Sequence, residues 1–257
     1  VADAAPKNPW KTATVVDIRP ETPRAKTLRL RFEAPIEHMA GQYFIVRLTA
    51  PDGYTAQRSY SCASAPDGSN ELELTIELLE GGEVSTYLHD VVEPGDELAV
   101  RGPIGGWFVW NGEHPALMIG GGSGVVPLMA MLRHARNLGR SDLVRLLVSV
   151  RTPGDLYYAD ELPGPETTVI YTRENAPGVL RQPGRLSAAD LPGPLDEDTT
   201  VYVCGSPDFA DSATDLLIAS GVVAERVRVE RFGPTASPPS SSPLTHNAFI
   251  DDRSGSQ

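Results

Sequence analysis

Several short segments of the chain carry residue types suited to holding flat, phosphorylated ligands. In Arg58-Ser59-Tyr60-Ser61 a guanidinium, an aromatic ring and two hydroxyls follow one another. Alternation along a strand places Arg58 and Tyr60 on one face and Ser59 and Ser61 on the other. A flavin needs such a set: an aromatic surface for its ring, a cation for its diphosphate and a hydrogen-bond donor near its reactive nitrogen. Taken alone, the tetrapeptide also fits an ordinary half-buried strand.

Two glycine-rich segments point to phosphate. In Gly81-Gly82-Glu83-Val84-Ser85 the glycines allow close backbone approach, the helix that follows offers unpaired N–H groups, and Ser85 adds a hydroxyl. A plain loop with Ser85 near a helix N-terminus is the simpler alternative. Gly120-Gly121-Gly122-Ser123-Gly124 lies between an apolar run and a helical segment, where a dinucleotide places its phosphates. Its spacing is not G-x-G-x-x-G, and no Lys-Ser/Thr pair follows to make a P-loop. A tight strand-to-helix turn without a ligand fits it too.

Further along, Arg151, Thr172, Arg173 and Arg185 fall just after predicted strands or in the following loop. Guanidinium groups there suit a 2′-phosphate, or they are surface charges. Tyr202-Val203-Cys204-Gly205-Ser206-Pro207 ends one strand and opens a helix, aiming the Cys204 thiol at the same crevice or into packing. Glu230-Arg231-Phe232-Gly233 closes the last strand with a carboxylate and a ring.

Two kinds of pattern must position these groups. From Lys11 to about Val109, short alternating segments separated by turn residues predict six antiparallel strands in a small barrel. They are Thr12–Ile18, Thr27–Phe32, Tyr43–Thr49, Gln57–Ser61, Glu71–Leu78 and Glu97–Arg101, with a short helix over Val84–Val92. In the clearest of them Leu72, Leu74, Ile76 and Leu78 share one face, which should be core. After Pro115 the texture changes to apolar runs alternating with helices, the mark of a parallel sheet covered on both faces. Its five strands are expected at Ala116–Ile119, Leu143–Val150, Thr168–Tyr171, Thr200–Cys204 and Val227–Glu230, with helices over Val125–Leu138 and Asp208–Ala219. The division is therefore a barrel domain over 10–111, an α/β domain over 115–233, and a Ser/Pro-rich tail over 234–257 that is expected to be disordered unless Phe249 and Ile250 fold back.

Composition narrows the functional classes. A formal charge of −12 on 257 residues disfavours nucleic acid and anionic membranes as general partners. Charge is uneven: residues 1–31 hold seven basic and three acidic side chains, either solvated strand-edge charges or a docking face for an acidic protein. The longest apolar stretches, such as Leu143–Val150, are interrupted and well short of the ~20 residues a spanning helix requires, so no membrane span is predicted. The first residues lack the basic and apolar regions of a secretory leader, and a cytoplasmic chain is expected. Cys62 and Cys204 are the only cysteines, too few for a four-thiolate cluster, and the five histidines show no ligand spacing, so no metal site is predicted and any iron–sulfur centre is expected on another polypeptide.

In this order, each on its expected strand or turn, the segments resemble the ferredoxin–NADP reductase family, which includes flavodoxin reductases and the reductase components of bacterial oxygenases. The match runs over about residues 10–233. The resemblance implies an FAD-binding antiparallel barrel followed by a nucleotide-binding α/β domain, with the flavin in the cleft between them. Carried over by motif, Arg58 would pair with FAD phosphate, Tyr60 would stack on the isoalloxazine with Ser59 in the same strand, and Ser61 would hydrogen-bond near N5. Gly82, Val84 and Ser85 would hold the diphosphate, and Gly121, Gly122, Ser123 and Gly124 the pyrophosphate of the pyridine nucleotide. Ser123 stands where the family usually has Thr, and keeps the hydroxyl.

Cys204 and Glu230 would sit beside the nicotinamide. Phe232 stands where plant-type members end in Tyr, and here the chain continues past it. Arg151, Thr172, Arg173 and Arg185 resemble 2′-phosphate contacts and favour NADPH over NADH. The implied activity is hydride transfer from NADPH or NADH to FAD, then single electrons to a separate acceptor such as a ferredoxin, a flavodoxin or an oxygenase component. The same motifs would serve an enzyme reducing free flavin, ferric chelates or quinones directly, and a non-catalytic nucleotide-sensing subunit is the remaining alternative. Acceptor assays and FAD reconstitution separate the three.

Overall fold

A computed structural model of the chain describes residues 8–233. The Ser/Pro-rich tail, with Phe249 and Ile250, lies outside the described residues. Strands β1 (Lys11–Thr22), β2 (Ala25–Phe32), β3 (Tyr43–Thr49), β4 (Thr55–Ser61), β5 (Glu71–Glu77) and β6 (Glu97–Ile104) form one antiparallel sheet, ordered β4-β3-β6-β1-β2-β5. An antiparallel bridge between Cys62 and Leu74 draws the two edge strands together and curls the sheet into a barrel. Helix α1 (Glu83–Asp90) packs across the remaining opening against β4 and β5, burying Val84 and Leu88.

Alternation fills the barrel. Leu28, Leu30, Phe44, Val46, Leu72, Leu74, Ile76 and Val100 are each no more than 1% exposed. Each such side chain contributes roughly 1.5–3 kcal/mol on burial. Leu78 lies just past the end of β5 and is half-buried. The opposite face of β5 departs from the pattern at Thr75, which is also buried.

The basic N-terminal residues are largely engaged by the barrel itself. Arg19 pairs with Glu21, Glu73 and Glu161, while Arg29 and Arg31 pair with Glu71. Arg24 donates to the Leu78 carbonyl and Lys26 to that of His89. These pairs leave the Arg19, Arg29 and Arg31 side chains 43%, 45% and 54% exposed.

The second sheet is parallel, ordered β11-β10-β7-β8-β9, from β7 (Ala116–Gly121), β8 (Val144–Val150), β9 (Thr167–Tyr171), β10 (Thr200–Gly205) and β11 (Val227–Arg231). The order reverses at β7, so the crevice between β7 and β10 is the position where open α/β sheets bind ligands. Helix α2 (Val125–Asn137) covers the face carrying Met118, Leu146, Val148 and Cys204, and α3 (Pro207–Ala219) the face carrying Ile119, Leu147, Val201 and Val203. Among the described residues, β8 to β9 and β9 to β10 are joined without an α-helix, the latter by the long segment 172–199.

The α2 face also packs against the barrel. One apolar cluster runs from Ala25, Ala40, Ala63, Phe108 and Trp110 to Met129, Tyr202 and Cys204. Among the described residues no helix is long and apolar enough to cross a membrane.

Candidate active site

The strand register fixes the first half of the site. Val46 lies opposite Arg58, Phe44 opposite Tyr60 and Tyr43 opposite Ser61. Tyr60 is half-buried against the barrel core, and this burial pushes its phenol above the ordinary value, so the ring stays neutral. Among the described residues the Arg58 guanidinium donates to the carbonyl of Gln57, at 2.7 Å, and pairs with no carboxylate. Ser61 is buried where β4 turns toward the bridge at Cys62, and Ser59, two residues earlier on the same face, is exposed.

Beside this strand, α1 begins at Gly82 with no side chain capping it. The first N–H groups of a helix have no intrahelical partner, and an anion is favoured there. Ser85 is turned inward: its hydroxyl donates to the Gly82 carbonyl at 3.1 Å and accepts from the Leu79 N–H at 3.2 Å. Val84 is buried in the barrel core, and the Gly82 N–H donates to the Leu79 carbonyl at 3.0 Å. A half-buried cation, a half-buried ring beside it and a helix without a side-chain cap fit an FAD.

The second half of the site is built on β7, β10 and β11. Gly120, Cys204 and Glu230 share one register across the three strands at their carboxyl ends. The turn after β7 crosses this edge so closely that a Cβ on Gly121 would lie 2.6 Å from the Phe209 ring. Ser123 is half-buried, and α2 starts at Gly124 with no side-chain cap and no acidic residue in its first turn. An uncapped helix entered through a glycine turn at a topological switch point fits a dinucleotide pyrophosphate.

Cys204 is fully buried, and burial together with Glu230 pushes its thiol well up, so it is neutral and packs. Burial raises the Glu230 carboxyl to about 7. The Phe232 N–H donates to the Gly205 carbonyl at 2.7 Å, and its ring packs on the cluster shared with the barrel.

The four residues assigned to a 2′-phosphate come together. Thr172 N–H donates to the Val150 carbonyl, and Arg173 N–H to that of Arg151 at 2.9 Å, so the ends of β8 and β9 start side by side. Gly184 N–H returns to the Tyr171 carbonyl at 3.0 Å and brings Arg185 back to the same edge. The Arg151, Arg173 and Arg185 side chains are exposed there. A surface cavity of about 400 Å³ is lined by Pro153, Leu162, Val169 and Tyr171, and one of about 510 Å³ lies beside α3.

Sequence reasoning overlooked two groups. Phe209, which floors the glycine turn, was detectable as the residue whose N–H donates to the Ser206 cap of α3, at 3.3 Å. Arg133, Glu73, Glu161 and Tyr158 form a polar cluster between the barrel and α2, from residues far apart with no shared spacing. Among the described residues no group of three or more His, Cys, Asp or Glu is placed to hold a metal.

Two family descriptions match the chain: an oxidoreductase FAD-binding domain over residues 13–109 and an oxidoreductase NAD-binding domain over residues 118–215. The chain is 30% identical to the reductase component of propane 2-monooxygenase from Mycolicibacterium goodii, covering 85% of this chain and 66% of that protein. It is 31% identical to the corresponding component from Gordonia sp. (strain TY-5), covering 86% and 67%. The chain thus spans about two thirds of the length of the curated relatives it matches. Among solved structures, the FAD/NAD-binding domain of nitric oxide dioxygenase from Vibrio cholerae superposes with a TM-score of 0.77 at 27% identity, covering 87% of this chain and 99% of that one. Its barrel, its parallel sheet and these matches make the chain a member of the ferredoxin–NADP reductase family.

Proposed function

We propose that the chain is an FAD-dependent NAD(P)H reductase that passes electrons to a separate acceptor, a ferredoxin, a flavodoxin or an oxygenase component. One observation carries the reading. The uncapped α2 and the Gly120–Cys204–Glu230 edge belong to the sheet whose α2 side packs against the barrel beside Ala63, two residues beyond Ser61. The FAD-binding unit is 10–111 and the nucleotide-binding unit 115–233.

Bound FAD supplies the exchange between a transferred hydride and single electrons. The protein's part is orientation. Arg58 and the first turn of α1 hold the FAD diphosphate, Tyr60 lies against the flavin ring, and Ser61 donates near its reactive nitrogen. The glycine turn, through Gly121 to Gly124, holds the nucleotide pyrophosphate, and Arg151, Thr172, Arg173 and Arg185 select NADPH over NADH by its 2′-phosphate. Cys204 and Phe232 shape the nicotinamide pocket. Glu230, poised near neutrality, holds or releases a proton beside it. The relatives' names, reductase components of oxygenases, favour an acceptor on another polypeptide. Demand for reduced pyridine nucleotide and two free, buried thiols suit the cytoplasm.

The test is an absorbance spectrum of the FAD-reconstituted protein, then anaerobic titration with NADPH and with NADH. Bleaching of the flavin band at stoichiometric NADPH is expected. A colourless protein, or a yellow one that neither nucleotide bleaches, refutes the reading.

A further inference from the structure

One buried guanidinium joins the two halves of the site. Arg133 lies on α2, eight residues beyond Val125 and so about 12 Å along the helix from the glycine turn. Its side chain is 14% exposed. Nη1 donates to the Ala63 carbonyl at 2.9 Å and to Glu73 Oε2 at 2.7 Å; Nε and Nη2 grip Glu161 at 2.9 and 2.6 Å. Ala63 follows the Arg58–Ser61 strand by two residues, and its own N–H donates to the Glu73 carbonyl at 2.8 Å.

The surroundings reinforce the same joint. Tyr158, held at φ 55°, hydrogen-bonds through its hydroxyl to Thr75 at 2.5 Å, while its N–H donates to Glu21 at 3.0 Å. Arg19 of β1 reaches Glu73 and Glu161. Within the α/β unit, Arg136 ties the same segment to α2 by donating to the Glu161 carbonyl at 2.5 Å.

We infer that Arg133 is a positioning residue, which fixes the distance between the nucleotide turn and the flavin strand by clamping α2 to Ala63. The inference rests on the reductase reading above. Hydride transfer requires reacting atoms about 3–3.5 Å apart, and an error of 1 Å costs about a hundredfold. Two rigid elements, α2 and the end of β4, carry the two ligands, and Arg133 meets both. A cluster of charges is a poor source of stability, because desolvation offsets the attraction between its members. Its directional, bidentate bonds do fix a geometry. The contacts of Arg133 are to Ala63, Glu73, Glu161 and Tyr158 and to none of the residues assigned to FAD or nucleotide, so its loss should change the rate of transfer with little change in affinity.

The experiment compares the FAD-loaded 257-residue chain with Arg133→Lys and with the charge-balanced double variant Arg133→Met/Glu73→Gln, which leaves no lone buried carboxylate. Stopped-flow flavin reduction gives the limiting rate and the nucleotide affinity. Pulsed electron spin resonance between labels at Asp52→Cys and Ser220→Cys, both exposed positions, measures the separation of the units in FAD-free protein; native Cys62 and Cys204 are buried and escape labelling.

The double variant should lose at least tenfold in limiting rate with nucleotide affinity within twofold, and its distance distribution should broaden. Arg133→Lys should recover part of both. Unchanged rates and distances in folded variants overturn the inference, and so does a rate loss tracked by equal loss of FAD or nucleotide affinity at unchanged distance. Unmutated protein that neither NADPH nor NADH bleaches sinks the reductase reading, while the distance measurement still decides whether Arg133 fixes the two units.

Discussion

A Cβ placed on Gly124 would lie 2.2 Å from the carbonyl oxygen of Cys204. The turn that opens α2 is therefore pressed directly onto the end of β10, and only a residue without a side chain fits. Gly124→Ala should move the turn, destabilise the fold by about 2 kcal/mol and weaken NADP+ binding at least tenfold. Gly122, at φ 54° with nothing within 4 Å of its Cβ, should cost only the left-handed strain of about 1 kcal/mol when changed to Ala. Thermal melts and NADP+ titrations of the two variants measure the contrast.

Among the described residues Arg58 has no carboxylate partner. A charge-assisted hydrogen bond is worth about 1.5–3 kcal/mol, so Arg58→Ala should weaken FAD roughly ten- to a hundredfold. Gln57→Ala, on the exposed face of the same strand, should leave it within twofold. Quenching of FAD fluorescence on binding gives both constants.

Glu230 sets a pH dependence whose sign follows from its burial. Its carboxyl titrates near 7 in the folded protein against an ordinary 4.5, so between those values the native state keeps a proton that the unfolded chain releases. Stability must fall as pH rises through that window. Glu230→Gln should be more stable than the parent at pH 8, by at most about 3 kcal/mol, and nearly equal to it at pH 4. Denaturant unfolding at the two pH values tests this. Flavin reduction should likewise lose any midpoint near 7.

The Arg185 loop is braced by an internal ion pair. Arg181 grips Asp190 at 2.5 and 2.8 Å and donates to the Gly184 and Arg185 carbonyls. Arg181→Ala should therefore act like Arg185→Ala, raising KM for NADPH about tenfold while NADH changes less than twofold. Equal effects on both nucleotides would show that the loop does not read the 2′-phosphate.

Local pattern carried most of the architecture. Leu72, Leu74 and Ile76 declare β5 by alternation alone, and the apolar run through β8 can be read as a strand buried on both faces. The chemistry-bearing segments were visible because each sits where one element ends and another begins. Thr75 was not, since alternation assigns it to solvent, and it is buried only because Thr27 and Tyr158 close over it from distant parts of the chain. Nor does the sequence announce that the Ser85 hydroxyl bonds to the backbone of its own loop, at Leu79 and Gly82. Arg133 and Glu73 lie 60 residues apart, and no periodicity announces a contact at that range.

The apolar cluster shared by barrel and α2 governs how the gene could be divided. Cutting at Gly112 would leave Phe108 and Trp110 bare on one fragment, and Met131 and His134 bare on the other. Neither half would be a self-sufficient module. Produced separately they would adhere to whatever oily surface they met first, whereas produced in one cell they would find each other and heal the same seam.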